Sequence, residues 1–153
     1  GSIQPLKFTD KACPVLLRWR EGHLQLLAFR HPLAGCQIVK GTVEEYEEPS
    51  ETVVRELGEE SGIEDARMIE PWGQLLLRAE KQRWHLFLCQ VERALPDAWD
   101  FYTKDGGGQT FAFFWHNLDE IAGDEWHPAF RKALGFIRRR VEERAEGVLS
   151  VSP

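Results

Sequence analysis

Glu56, Glu59 and Glu60 lie in the segment SETVVRELGEESG, whose spacing predicts a helix. At 3.6 residues per turn, positions i, i+3 and i+4 share one face. Like charges at that spacing repel one another. A divalent cation is the simplest compensation, and an all-oxygen donor set selects hard ions such as Mg2+ or Mn2+, which complete their shells with water and phosphate oxygens. The plain alternative is a solvated acidic face, the usual fate of Glu-rich helices. That alternative leaves Gly41, Glu47 and Gly62 without explanation.

The helix has its own positioning signals. Ser50 is expected to cap its start, and Gly62 supplies the left-handed stop. Val53, Val54 and Leu57 lie on a neighbouring face that can be buried. Around this helix, Gly41, Glu47, Arg55, Glu56, Leu57, Glu59, Glu60, Gly62 and Ile63 occupy fixed places in one 23-residue window, GTVEEYEEPSETVVRELGEESGI. An accidental match has a probability on the order of one in ten million at average residue frequencies.

This window resembles the Nudix box. The resemblance implies that Glu56, Glu59 and Glu60 bind the catalytic cation, Mg2+ or Mn2+, with the Gly41 carbonyl as a further ligand. Arg55 would orient a box carboxylate, with Glu47 as its acceptor or as a second cation contact. The implied reaction is hydrolysis of a nucleoside diphosphate linked to another group, with Glu56 or Glu59 taking the proton of the attacking water. Some members of the family use a base from a later loop, where Asp100 and Asp105 are the candidates. Two positions depart from the pattern: Lys40 stands where many members have a glycine, and Tyr46 replaces a common glycine before Glu47. The Lys40-Gly41 pair resembles the lead-in of dinucleoside-polyphosphate hydrolases and makes Lys40 a substrate-binding candidate.

The elements that must hold this window are strand-rich. Pro14 to Trp19 and Leu24 to Arg30 read as a hairpin, and Gln37 to Thr42 as a short strand leading into the box. Gln74 to Arg78 and Trp84 to Val91 read as a second pair, Glu92 to Gly108 as a long loop, and Gln109 to Trp115 as another strand. In Pro128 to Ala145, Phe130, Leu134, Ile137 and Val141 recur at helical intervals and should face the core. The expected fold is α/β, a Nudix-type α/β/α sandwich with a mixed sheet between helices. Residues 3–146 would form its single domain, with Gly1-Ser2 a cloning scar and residues 147–153 a flexible tail.

Composition supports one small enzyme. At 153 residues and 42% hydrophobic, the chain can bury one substantial core. A net charge of −6 argues against an extended nucleic-acid surface. A nucleotide-derived small molecule is the expected partner, and no oligomeric state is implied. The three cysteines are odd in number and far apart, which suits reduced, buried residues. No apolar run has the length of a membrane span and no leader pattern is visible, so the expected location is the cytoplasm. Among aromatics that could stack on a base, Phe101 and Tyr102 stand out because their loop is expected to be exposed. His31, His85, His116 and His127 lack metal-ligand spacing and read as structural or surface. Two other function classes compete: a Nudix-like nucleotide-binding or regulatory module without catalysis, and an interaction protein whose acidic helix serves solubility.

Overall fold

The computed structural model describes residues 7–151, with side chains through Ala145, so the expected scar at Gly1-Ser2 lies outside the described residues. Eight strands and two helices follow in order: β1 (Thr9–Arg20), β2 (His23–His31), β3 (Gly35–Gln37), β4 (Gly41–Thr42), α1 (Pro49–Ser61), β5 (Arg67–Leu77), β6 (Gln82–Gln90), β7 (Trp99–Thr103), β8 (Gln109–Asn117) and α2 (Pro128–Val151). The sheet runs β5-β6-β1-β2-β8-β7, with β3 paired to β2 and β4 to β1. It is mixed, as expected. β1 pairs parallel with β6 from Thr9↔Gln82 to Leu16↔Cys89, and antiparallel with β2 and β4.

The two-residue period of β1 divides the core. Cys13 and Val15 point into a cluster with Trp84, Leu86, Phe130, Leu134 and Ile137, under α2. Ala12 and Leu16 point into a second cluster with Phe29, Val53, Leu57 and Phe113, under α1. Each helix therefore covers one face of the sheet, which is the expected sandwich. Among the described residues no helix is long and apolar enough to cross a membrane.

Several details differ from the sequence reading, among them the expected strand Gln37 to Thr42, which is split into β3 and β4 with residues 38–40 in neither. The expected long loop contains β7, which pairs with β8 through Trp99↔Phe113 and Phe101↔Phe111. Its alternation of Trp99, Phe101 and Thr103 with Asp100 and Tyr102 is a strand signal obscured by the flanking Pro96 and glycines. Helix α1 starts earlier than Ser50. Glu48 is its N-cap, Pro49 occupies the first turn, and the Glu51 carboxylate accepts the Glu48 N–H at 3.0 Å, a capping box built from two glutamates. Helix α2 continues past Ala145 to Val151, through most of the segment expected as a tail. One glycine, Gly147, costs a helix about 1 kcal/mol, too little by itself to stop it.

Candidate active site

The site forms where β4 delivers the chain to α1. Gly41 is fixed by pairing with Ala12, and its Cα faces the Glu56 side chain so closely that a Cβ there would stand 2.0 Å from the Glu56 carboxyl carbon. Only glycine leaves that carboxylate its place. The connecting loop carries Tyr46 at φ 71, so the residue that replaces a common glycine still takes a left-handed backbone, at a cost of about 1–2 kcal/mol. Its ring is 97% exposed.

Arg55 is the hub. Its Nε and Nη2 donate to the two Glu47 oxygens at 2.8 and 2.9 Å, a bidentate pair. Nη1 donates to Glu56 at 2.8 Å and to Glu59 at 3.1 Å, and Nη2 also reaches the Thr42 carbonyl at 3.2 Å. Glu47 accepts in addition from the Thr52 hydroxyl at 2.7 Å and the Glu44 N–H at 3.1 Å. These donors, Arg55 foremost, hold the Glu47 carboxyl down to about 2. Glu47 in turn pushes the Arg55 guanidinium further up.

The remaining carboxylates behave in the opposite way. Burial pushes Glu56 up to about 7, with Glu59 and Asp105 adding to the rise and Arg55 opposing it. Burial likewise pushes Glu60 up to about 8, with Glu56 and Asp105 adding and Lys40 opposing. Oxygens of Glu56, Glu59 and Asp105 all lie within 4.8 Å of one another. Glu60 stands outside this group, and its Oε2 is buried with no hydrogen-bond partner among the described residues.

The other expected residues separate. Asp105 sits on a 3-10 turn (Asp105–Gly107), followed by glycines at φ 64, 89 and 96, which carries it back toward α1. Asp100 is an exposed residue of β7 opposite Ala112 and does not join the group. Phe101 is half-buried in the core under α1, beneath Gly62, where a Cβ would stand 2.7 Å from its ring. Tyr102 is 62% exposed. Lys40 lines a cavity of about 250 Å³ together with Glu60, Asp105, His31, Gln37 and Gln109. His31 is locked in one tautomer, because its Nδ1 accepts the Leu33 and Ala34 N–H groups at 3.0 and 3.1 Å and so leaves Nε2 as the donor. Sequence reasoning did not find Gln37, Gln109 or this role for His31. They come from three strands, and no local spacing connects them.

A family model described as the NUDIX domain matches residues 9–134. Among solved structures, a MutT protein from Methanosarcina mazei Go1 superposes with a TM-score of 0.65 at 20% identity, covering 93% of this chain and 99% of the other. A C. elegans Ap4A hydrolase gives 0.61 at 18% identity, covering 90% and 98%. A NUDIX hydrolase from Nitrosomonas europaea gives 0.66 at 16% identity, covering 95% and 77%. Identities this low speak for the fold. Among curated proteins, none matches the sequence.

Proposed function

Since the chain belongs to the Nudix family of pyrophosphohydrolases, we propose that it hydrolyses the pyrophosphate linkage of a nucleoside diphosphate joined to another moiety, with a divalent cation held by Glu56, Glu59, Glu60 and Asp105. One observation carries this reading. Three carboxylates crowd within 4.8 Å while a fourth, Glu60, keeps a buried oxygen without a donor, and this all-oxygen set fits Mg2+ or Mn2+. The carbonyl of Gly41, whose Cα faces the Glu56 side chain, is the proposed backbone ligand. A bound cation would neutralise pyrophosphate charge and lower the pKa of a nearby water.

The chain's own groups divide the remaining work. Arg55 fixes Glu56 and Glu59 through one nitrogen and is itself anchored by Glu47. Glu47, held to about 2, stays ionised and takes no proton. Proton acceptance from the attacking water falls to Glu56 or Glu59, with Asp105, rather than Asp100, as the base from outside the box. The cavity beside Glu60 and Asp105 receives one of the groups attached to the diphosphate, and the exposed Tyr102 ring is available for stacking. Phe101 lines the core and is left to support Gly62. All three cysteines are free and buried, in keeping with a reducing cytoplasmic setting.

The test is a panel of ADP-ribose, nucleotide sugars, dinucleoside polyphosphates and modified nucleoside triphosphates, with products resolved by chromatography. Activity should vanish with a chelator, return with Mg2+ or Mn2+, and yield products from phosphoanhydride cleavage. Full turnover by verified metal-free protein, or release of free base alone, overturns the mechanism. Cation binding without product from any compound would return the chain to the inactive-module class.

A further inference from the structure

The helix face that carries the carboxylates begins before Arg55. Thr52, Arg55, Glu56 and Glu59 stand at i, i+3, i+4 and i+7 and form one row along α1. Threonine is a weak choice for a helix interior, and a hydroxyl removed from water costs free energy unless it is bonded. Thr52 is 0% exposed. A helical threonine commonly turns its hydroxyl back to the carbonyl four residues earlier, here that of Glu48 at 3.2 Å. That carbonyl already accepts the Glu51 and Thr52 N–H groups at 2.9 and 3.1 Å. The nearer acceptor is charged: Oε1 of Glu47 lies 2.7 Å from the hydroxyl, a distance typical of a proton given to a carboxylate.

Glu47 sits in the loop before α1, where it accepts the Glu44 N–H. Among the described residues, two side chains of the helix reach it, Thr52 and Arg55. A guanidinium alone leaves its carboxylate free to tilt about the shared plane, and a second donor from another backbone position removes that freedom. Arg55 also holds Glu56 and Glu59, through its remaining nitrogen. Any tilt of Glu47 is therefore passed on to the carboxylates proposed for the cation.

Resting on the hydrolase reading above, we infer that Thr52 is a positioning residue, whose hydroxyl fixes Glu47 and through it the orientation in which Arg55 presents Glu56 and Glu59. Thr52 is not one of the fixed positions of the 23-residue window, so this tie belongs to the chain's own version of the site. It acts only through its neighbours. Misplacing reacting groups by even a fraction of their spacing lowers turnover, and residues that orient metal ligands commonly cost about 10-fold or more in affinity or rate when lost.

Thr52→Val keeps the branched shape and drops the hydroxyl, whereas Thr52→Ser keeps the hydroxyl and drops a methyl, so the pair separates positioning from packing. At saturating Mn2+, with the best compound of the panel, Thr52→Val should lose about 10-fold in kcat with KM changed less than about 2-fold, and Thr52→Ser should recover most of that loss. Two readouts need no turnover. Mn2+ affinity, from the paramagnetic signal of the free ion, should weaken about 10-fold in Thr52→Val. The Arg55 Nε–H resonance of the metal-free chain should shift in Thr52→Val and stay near its wild-type position in Thr52→Ser. Circular dichroism checks folding, and Thr52→Ala, which lacks the hydroxyl and suits a helix better, supplies the reading if Thr52→Val unfolds. Wild-type kcat and Mn2+ affinity in a folded variant without the hydroxyl, or larger losses in Thr52→Ser than in Thr52→Val, overturn the inference. Failure of the wild-type chain to release product from any compound overturns the hydrolase reading instead, and the Mn2+ affinity and the Arg55 resonance then still decide the role of Thr52.

Discussion

A single guanidinium organises the chemistry at the residue scale. Arg55 satisfies both oxygens of Glu47 and still reaches Glu56 and Glu59, so the like-charge repulsion expected along α1 is partly cancelled before any cation arrives. Replacing Glu59 by Gln keeps an acceptor for Arg55 and a half-exposed side chain, while it removes one of the anionic ligands proposed above. The fold should therefore survive, Mn2+ affinity should fall, and turnover should drop about 10²- to 10⁴-fold if Glu59 moves the proton. Glu51→Gln is the matched control: its amide oxygen can still accept the Glu48 N–H of the capping box, so activity should stay near wild type. Steady-state kinetics and Mn2+ titration on both variants decide the matter, and equal losses in the two would show general charge sensitivity of the helix.

Elements explain why some of this was legible in the sequence and some was not. The box residues were readable because their chemistry is local: a helical period places Glu56, Glu59 and Glu60, and Gly62 ends α1 at φ 80 as its type requires. The cap was misread because Ser50 is the commoner capping type, whereas Pro49 and the Glu48–Glu51 pair set the cap two residues earlier. β7 was missed because its partner β8 lies beyond three glycines, and Phe101 was taken as exposed for the same reason. Asp105 could not be chosen over Asp100 until the turn between these strands showed which acid returns to α1. Gly62 joins the two elements: it is left-handed and roofs the Phe101 ring. Gly62→Ala should cost about 1–2 kcal/mol from backbone conformation alone, plus the displacement of Phe101. Urea unfolding should show that loss, and a midpoint equal to wild type would mean the helix end relaxes freely.

For the whole molecule, the buried carboxylates couple stability to pH. Glu56 and Glu60 titrate at about 7 and about 8 in the folded chain, above the ordinary carboxylate value of 4.5. The folded state thus keeps protons that the unfolded state has already released. Their contribution is fully present below about 4.5 and is lost as pH rises through 7 to 8. Metal-free protein should become less stable across that window, and Glu60→Gln should flatten the fall. Thermal melts between pH 5 and 8.5 in chelator test this, and a stability that rises steadily across the window in the wild-type chain would contradict the buried placement of the two acids. Saturating Mn2+ should reverse the trend, because ligand binding to the folded state adds stability and is itself favoured by deprotonation.

β1 also governs the order in which the molecule can be made. Its parallel partner β6 begins 73 residues further on, from Thr9 to Gln82, whereas its β2 partner follows after a two-residue turn. A chain emerging from the ribosome can close the β1–β2 hairpin at once, yet half of β1 must wait, edge exposed, until Gln90 has been synthesised. Long-range pairing of this kind is slow and leaves nascent chains open to aggregation. The box is translated inside that interval, so α1 is made before the sheet it packs against is complete.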